Sequence, residues 1–177
     1  MLGVSLEFDY ICISALDIMA EREWFALRVK YVKAQKMVAL LSQCAVPVES
    51  CFVPPVNGLL FLLTTREVLD DFMHFHSGGQ YLAFIWDRTT GKPVVVKKKA
   101  MEDFMAVCRV VELPIVMTEK PQVTLGARVR VLEGPLKGIE GRVVRMKKSR
   151  RILVEVDGVL WAATEFISPE FLEVIED

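Results

Sequence analysis

The apolar positions of the chain change period several times. Residues 23–32, EWFALRVKYV, are rich in aromatic and β-branched side chains, the composition of a strand. The next stretch, KAQKMVALLSQC, spaces Met37, Leu40, Leu41 and Cys44 at i, i+3, i+4 and i+7, on one face of a helix. Two short extended runs follow, SCFVPP and GLLFLLT. Thr64 and Glu67 then have the spacing of a capping box, with the Thr64 hydroxyl at the N-cap. The helix they predict carries Val68, Phe72 and Phe75 on its apolar face. QYLAFIW and PVVV read as strands on either side of the turn DRTTGKP, and AMEDFMAVC as a helix with a stripe of Met101, Phe104, Met105 and Cys108. Helices interleaved with strands around one sheet predict an α+β sandwich.

Beyond residue 117 the pattern turns to short strands alone. GARVRVLEG alternates Ala127, Val129 and Val131 with Arg128 and Arg130. GRVVRMKKSRRILVEVDG reads as two strands around KKSRR, and VLWAATEF and FLEVIE complete five. Five short strands with glycine turns predict a small SH3-like β-barrel. Residues 133–141, EGPLKGIEG, put three glycines and a proline between two basic runs. The turn calls for positive φ at Gly134 or Gly138, which glycine reaches without a Cβ clash. Pro121, in MTEKPQ, ends any preceding helix. The predicted organisation is an N-terminal extension (1–22), a first domain (23–116), a linker (117–123) and a second domain (124–177), the two domains moving independently.

Charge sharpens that division. The net charge of −1 names no partner. Residues 120–151, however, hold 10 Lys and Arg against Glu133 and Glu140, and residues 152–177 hold seven acidic residues and no basic one. The cluster Arg142, Arg145, Lys147, Lys148, Arg150 and Arg151 has two readings: a solvated hairpin tip, or a contact for phosphate or an acidic protein. The run holds no aromatic for base stacking, so any nucleic-acid contact is expected to be weak and non-specific. Enzyme chemistry has little to build on. His74 and His76 are two apart, so on a helix they point in different directions and make poor joint metal ligands. No glycine-rich loop has phosphate-binding spacing. The four cysteines form no CxxC pair and are expected to be reduced. Residues 1–20 carry Glu7, Asp9 and Asp17 without a basic region, and no apolar run reaches roughly 18 residues. The expectation is a cytoplasmic binding protein with no membrane contact, no metal and no cofactor.

Two stretches resemble a known family. GARVRVLEGPLKGIEGRVVRMKKSRRILVEV resembles a KOW motif, with Gly134, Gly138 and Gly141 in its turn. The preceding region, with Trp24-Phe25, RVKYVKAQKMVALL, ESCFVPP, NGLLFL and GKPVVVKKKAMEDF, resembles the NusG N-terminal domain. Their order over roughly residues 23–177 is similar to the NusG family of transcription elongation factors. The resemblance implies a regulator bound to RNA polymerase and no enzyme. It also implies an apolar surface for the clamp helices of the polymerase's largest subunit, built partly from a strand reading approximately Phe-Pro-Gly-Tyr. The matching stretch is Val56-Asn57-Gly58-Leu59-Leu60-Phe61-Leu62, in which Gly58 and the apolar character persist while the aromatics and proline are replaced. Strand side chains alternate faces, so with Leu60 inward Leu59 and Phe61 point together to the other face. Val56, Gly58, Leu59 and Phe61 are therefore the expected polymerase-binding residues, as an exposed patch. The segment between FVPP and NGLLFL is shorter than is usual in the family. Asp157 stands where the housekeeping member has an aromatic that helps bind a small-subunit ribosomal protein, so ribosome binding does not carry over. Both departures imply a specialised antiterminator of the RfaH type, acting on long operons such as those for surface polysaccharides. The rival reading is a ribosome- or RNA-associated KOW protein acting in translation.

Overall fold

A computed structural model describes residues 21–110, 126–146, 149–156, 160–164, 167 and 169–175. The expected linker 117–123, residues 1–20, the tip residues Lys147 and Lys148, and Asp157 lie outside the described residues.

The first sheet is antiparallel, in the order β2 (Ser50–Phe52), β3 (Leu59–Thr64), β1 (Glu23–Val29), β4 (Leu82–Phe84), with β5 (Val95–Val96) also paired to β1. Both of its faces are covered, which explains the near-continuous apolar run of β3. On one face Phe25, Leu27 and Val29 join Leu60 and Leu62 against α1 (Ala34–Gln43) and α2 (Arg66–Phe75), which contribute Met37, Leu41, Leu69 and Phe72. On the other, Trp24, Ala26, Leu59, Phe61 and Val96 meet Met101, Phe104 and Val107 of α3 (Lys98–Val110). Each large side chain so buried contributes roughly 2 kcal/mol.

Two details of α2 correct the sequence reading. The cap is Thr65, whose hydroxyl accepts the Val68 N–H at 3.5 Å; Thr64 is buried and donates instead to the Pro47 carbonyl at 2.9 Å. The buried face is Leu69 and Phe72, and Phe75 is left 83% exposed.

The second sheet is also antiparallel. β6 (Arg128–Val131), β7 (Glu140–Met146), β8 (Ser149–Val156) and β9 (Leu160–Ala163) are neighbours in sequence order, and β10 (Leu172–Val174) returns through a 3-10 turn to pair with β6. That is the strand order of an SH3-like barrel, and the whole chain is of the α+β class. Between β6 and β7 both turn glycines have positive φ, +84° at Gly134 and +83° at Gly138. The Gly138 N–H donates to the Val131 carbonyl at 2.8 Å, and the Val131 N–H to the Ile139 carbonyl at 2.9 Å.

The two sheets do not have separate cores. Val129, Val131, Ile139, Ile152, Val154 and Ala162 belong to the same buried cluster as α3 and the first sheet. α3 packs against β1, β8 and β9 together. The physical reason is the width of its apolar surface: Met101, Phe104 and Val107 are fully buried and Ala100, Met105, Ala106 and Cys108 partly so. One sheet cannot cover that much of a helix's circumference.

Candidate functional site

The expected polymerase-binding strand does not form an exposed patch. Leu59 is 3% and Phe61 0% exposed. The Phe61 ring lies 5.8 Å from Phe104 and 6.5 Å from Phe52, and Phe52 lies 5.6 Å from Phe104. These three rings, from β3, β2 and α3, close that face. Alternation along β3 is as expected, but both faces are interior.

Val56 and Gly58 lie differently. Both are half-buried and line an open groove of about 700 Å³, together with Val32, Val53, Pro54 and Pro55. Gly58 has φ +77°, and its carbonyl accepts the Val29 N–H at 2.9 Å, fastening the loop to the end of β1. The opposite wall is the start of α1. Its N-cap, Lys33, makes no side-chain capping bond, and the first turn has no acidic residue, so the positive end of the helix is uncompensated. Lys30, Lys33 and Lys36 are exposed around it.

Three residues near this sheet escaped the sequence reading. Tyr31 is 92% exposed at φ +62°, a left-handed conformation that costs a non-glycine residue of order 1–2 kcal/mol. The available signal was KYVK, an aromatic between lysines where a strand gives way to a helix. Arg66 stacks its guanidinium over Phe84 at 5.2 Å and Trp86 at 5.8 Å, and its Nε donates to Asp70 at 3.0 Å. After the exposed Trp86, the Asp87 carboxylate accepts the Thr89 N–H at 2.7 Å, the Thr89 hydroxyl at 2.6 Å and the Thr90 hydroxyl at 3.0 Å. These bonds, the Thr89 hydroxyl foremost, hold its pKa at about 2.

Polar contacts flank the apolar junction of α3 with the second sheet. Asp103 is buried; one carboxylate oxygen accepts Lys99 Nζ at 2.5 Å and the other the Glu140 backbone N–H at 3.2 Å. Lys99 also donates to the Gly138 carbonyl at 2.8 Å. The Arg130 guanidinium donates to Glu140 at 2.8 and 3.1 Å and holds that carboxyl below the usual range, against the opposing effect of burial. A cleft of about 280 Å³ runs beside them, lined among others by Lys97, Arg128, Arg142 and Glu155.

The basic cluster is accordingly not one free tip. Arg142 is half-buried in that cleft. Arg151 is half-buried, donates to the Thr164 carbonyl at 3.3 Å, and has its Nε buried without a hydrogen-bond partner among the described residues. The register sets Arg145 opposite Arg150. Lys147 and Lys148 lie outside the described residues.

The candidate reactive side chains have structural roles. His74 Nδ1 bonds to the Asp70 carbonyl at 2.6 Å, and the His76 ring stacks on Phe72 at 5.1 Å. Burial pushes the Cys108 thiol up to about 12, which leaves it protonated. Among the described residues no three His, Cys, Asp or Glu side chains are grouped to hold a metal ion, and no helix is long and apolar enough to cross a membrane.

No family model matches the chain, and no curated protein matches it. Among solved structures it is similar to that described as domain interaction in Thermotoga maritima NusG, at 14% identity and a TM-score of 0.47, over 88% of this chain and 98% of that one. It is also similar to the MjSpt4:Spt5 complex in conformation B, at 14% identity and a TM-score of 0.33, over 87% of this chain and 97% of that one.

Proposed function

We propose that the chain is a transcription elongation factor with antiterminating activity, attached to RNA polymerase through the groove between β2, β3 and the start of α1. The observation that carries the reading is this groove. It sets the apolar side chains of Val32, Val53, Pro54, Pro55 and Val56 beside Lys33, Gln35 and Asn57, it holds Gly58, and it opens at the start of the strand that the NusG resemblance assigns to polymerase contact. Its size suits the tip of a helical hairpin, whose apolar side chains would enter between Val32, Val56 and Pro54. Lys30, Lys33 and Lys36 around it favour a partner with an acidic border. Leu59 and Phe61 are buried against α3 and are not themselves contact residues.

In this proposal the second sheet is auxiliary. Its basic hairpin gives weak, sequence-independent attraction to nucleic acid near the polymerase, and the groove at Val56 and Gly58 gives the attachment. Transcription with purified polymerase across a terminator tests the reading. Adding the chain should raise read-through, and Val56→Glu should abolish the effect while leaving the fold intact. Read-through unchanged by the wild-type chain would overturn it.

A further inference from the structure

The edge of β10 carries apolar surface that polymerase attachment does not use. Six large apolar side chains are exposed among the described residues, and two of them, Phe171 and Val174, lie on or beside β10. Val174 is 71% exposed. Among the described strands β10 pairs with β6 alone, setting Leu172 against Val131, Glu173 against Arg130 and Val174 against Val129. The Leu132 N–H donates to the Phe171 carbonyl at 2.8 Å and the Ile175 N–H to the Arg128 carbonyl at 3.0 Å. Residues 171 and 175 thus aim backbone groups at β6. Successive residues of a strand aim them to opposite sides, so the N–H and C=O of Leu172 and Val174 point away from the sheet. Exposed edges are usually blunted by short length, charged side chains, proline or a bulge; β10 is short and carries Glu173, and it has neither lysine nor proline.

Charge indicates what kind of strand would add there. Residues 169–177 hold Glu170, Glu173, Glu176 and Asp177 and no basic residue, and Glu133 is exposed next to Leu132. The strand already paired with β10 reads Arg-Val-Arg-Val, with arginine opposite Glu173 and valine opposite Leu172 and Val174. The free side of the same strand presents the same alternation. Opposite-charge and apolar cross-strand pairs are what stabilise a two-strand contact. Residues 1–20 of the chain, with three acidic residues and no basic one, have the wrong charge to fill the place.

We propose that the edge of β10 left unpaired among the described strands docks an extended segment of a partner protein in which basic and β-branched apolar residues alternate, added as a further strand of the second sheet. Three residues make a short edge, so backbone pairing alone is weak. Phe171 and Val174 supply the apolar contact and the acidic side chains set the preference for a basic segment.

The test titrates the full, 15N-labelled chain with the peptide Ala-Arg-Val-Arg-Val-Leu, the sequence of residues 127–132. Two control peptides replace both arginines by glutamate, or the central valine by proline. Saturable amide shifts confined to residues 169–175 are expected. The glutamate peptide should bind at least about tenfold more weakly, since attraction becomes repulsion at two positions. The proline peptide should not bind. Val174→Lys should weaken the parent peptide by a similar factor while the amide spectrum of β7 to β9 is unchanged. Equal binding of the glutamate peptide, or no effect of Val174→Lys, would overturn the proposal. So would concentration-dependent dimerisation of the free chain with shifts at the same residues, which would assign the edge to a second copy.

Discussion

Gly138 illustrates how single residues set this fold. It sits at φ +83° with nothing within 4 Å of where a Cβ would be, so the requirement for glycine is conformational and not steric. Gly138→Ala should cost about 1–2 kcal/mol, seen as a lower denaturation midpoint with an unchanged slope. Gly141 is different: a Cβ there would lie 2.5 Å from Ile152 Cγ2 and 2.6 Å from the Leu153 carbonyl, so alanine should be the more damaging at this position. Asp87 shows the same economy through charge. Its folded pKa is lowered from 3.8 to about 2, so what it contributes to stability is full above pH 3.8 and is lost as the pH falls through about 2. Stability should therefore decline over that window, and Asp87→Asn should flatten the decline when the midpoint is followed against pH. A pH dependence identical in the variant would contradict the role given to the turn.

At the scale of elements, β3 and α3 mark where sequence stopped being informative. The α+β class, the helical face at Met37 and Leu41, and the glycine turn were legible because each depends on neighbours in sequence. Period-2 alternation along β3 correctly grouped Leu59 with Phe61. It could not show that their face is covered, because that depends on α3, some 40 residues away in sequence. The cap of α2 was misplaced for a local reason, since adjacent threonines both offer a hydroxyl and only packing makes Thr65 the cap. Asp103 was illegible too: an acidic residue on an amphipathic helix ordinarily faces water, and here it accepts the Glu140 N–H across the junction. Asp103→Ala should cost roughly 1–3 kcal/mol by leaving that N–H without its acceptor. Hydrogen exchange at the Glu140 amide should speed up correspondingly, and an unaltered rate would show that the bond does not hold α3 to the second sheet.

At the scale of the molecule, the chain has opposed charge in its last third and one continuous apolar cluster through both sheets. The run from residue 120 to 151 is strongly basic and the run from 152 to 177 wholly acidic, so a near-zero net charge conceals a large dipole. The shared cluster around α3 predicts that the two sheets tumble together: 15N relaxation should give one correlation time for residues 23–110 and 126–175, whereas two distinct times would mean that the junction opens readily in solution. The central claim is attachment to polymerase through the groove at Val56 and Gly58. It is tested most directly by the affinity of purified RNA polymerase for the wild-type chain, Val56→Glu and Leu59→Glu, each checked for folding by circular dichroism. The account predicts that the wild type binds, that Val56→Glu stays folded and loses at least about tenfold in affinity, and that Leu59→Glu unfolds because it buries a charge. A folded Val56→Glu that binds as tightly as the wild type would contradict it.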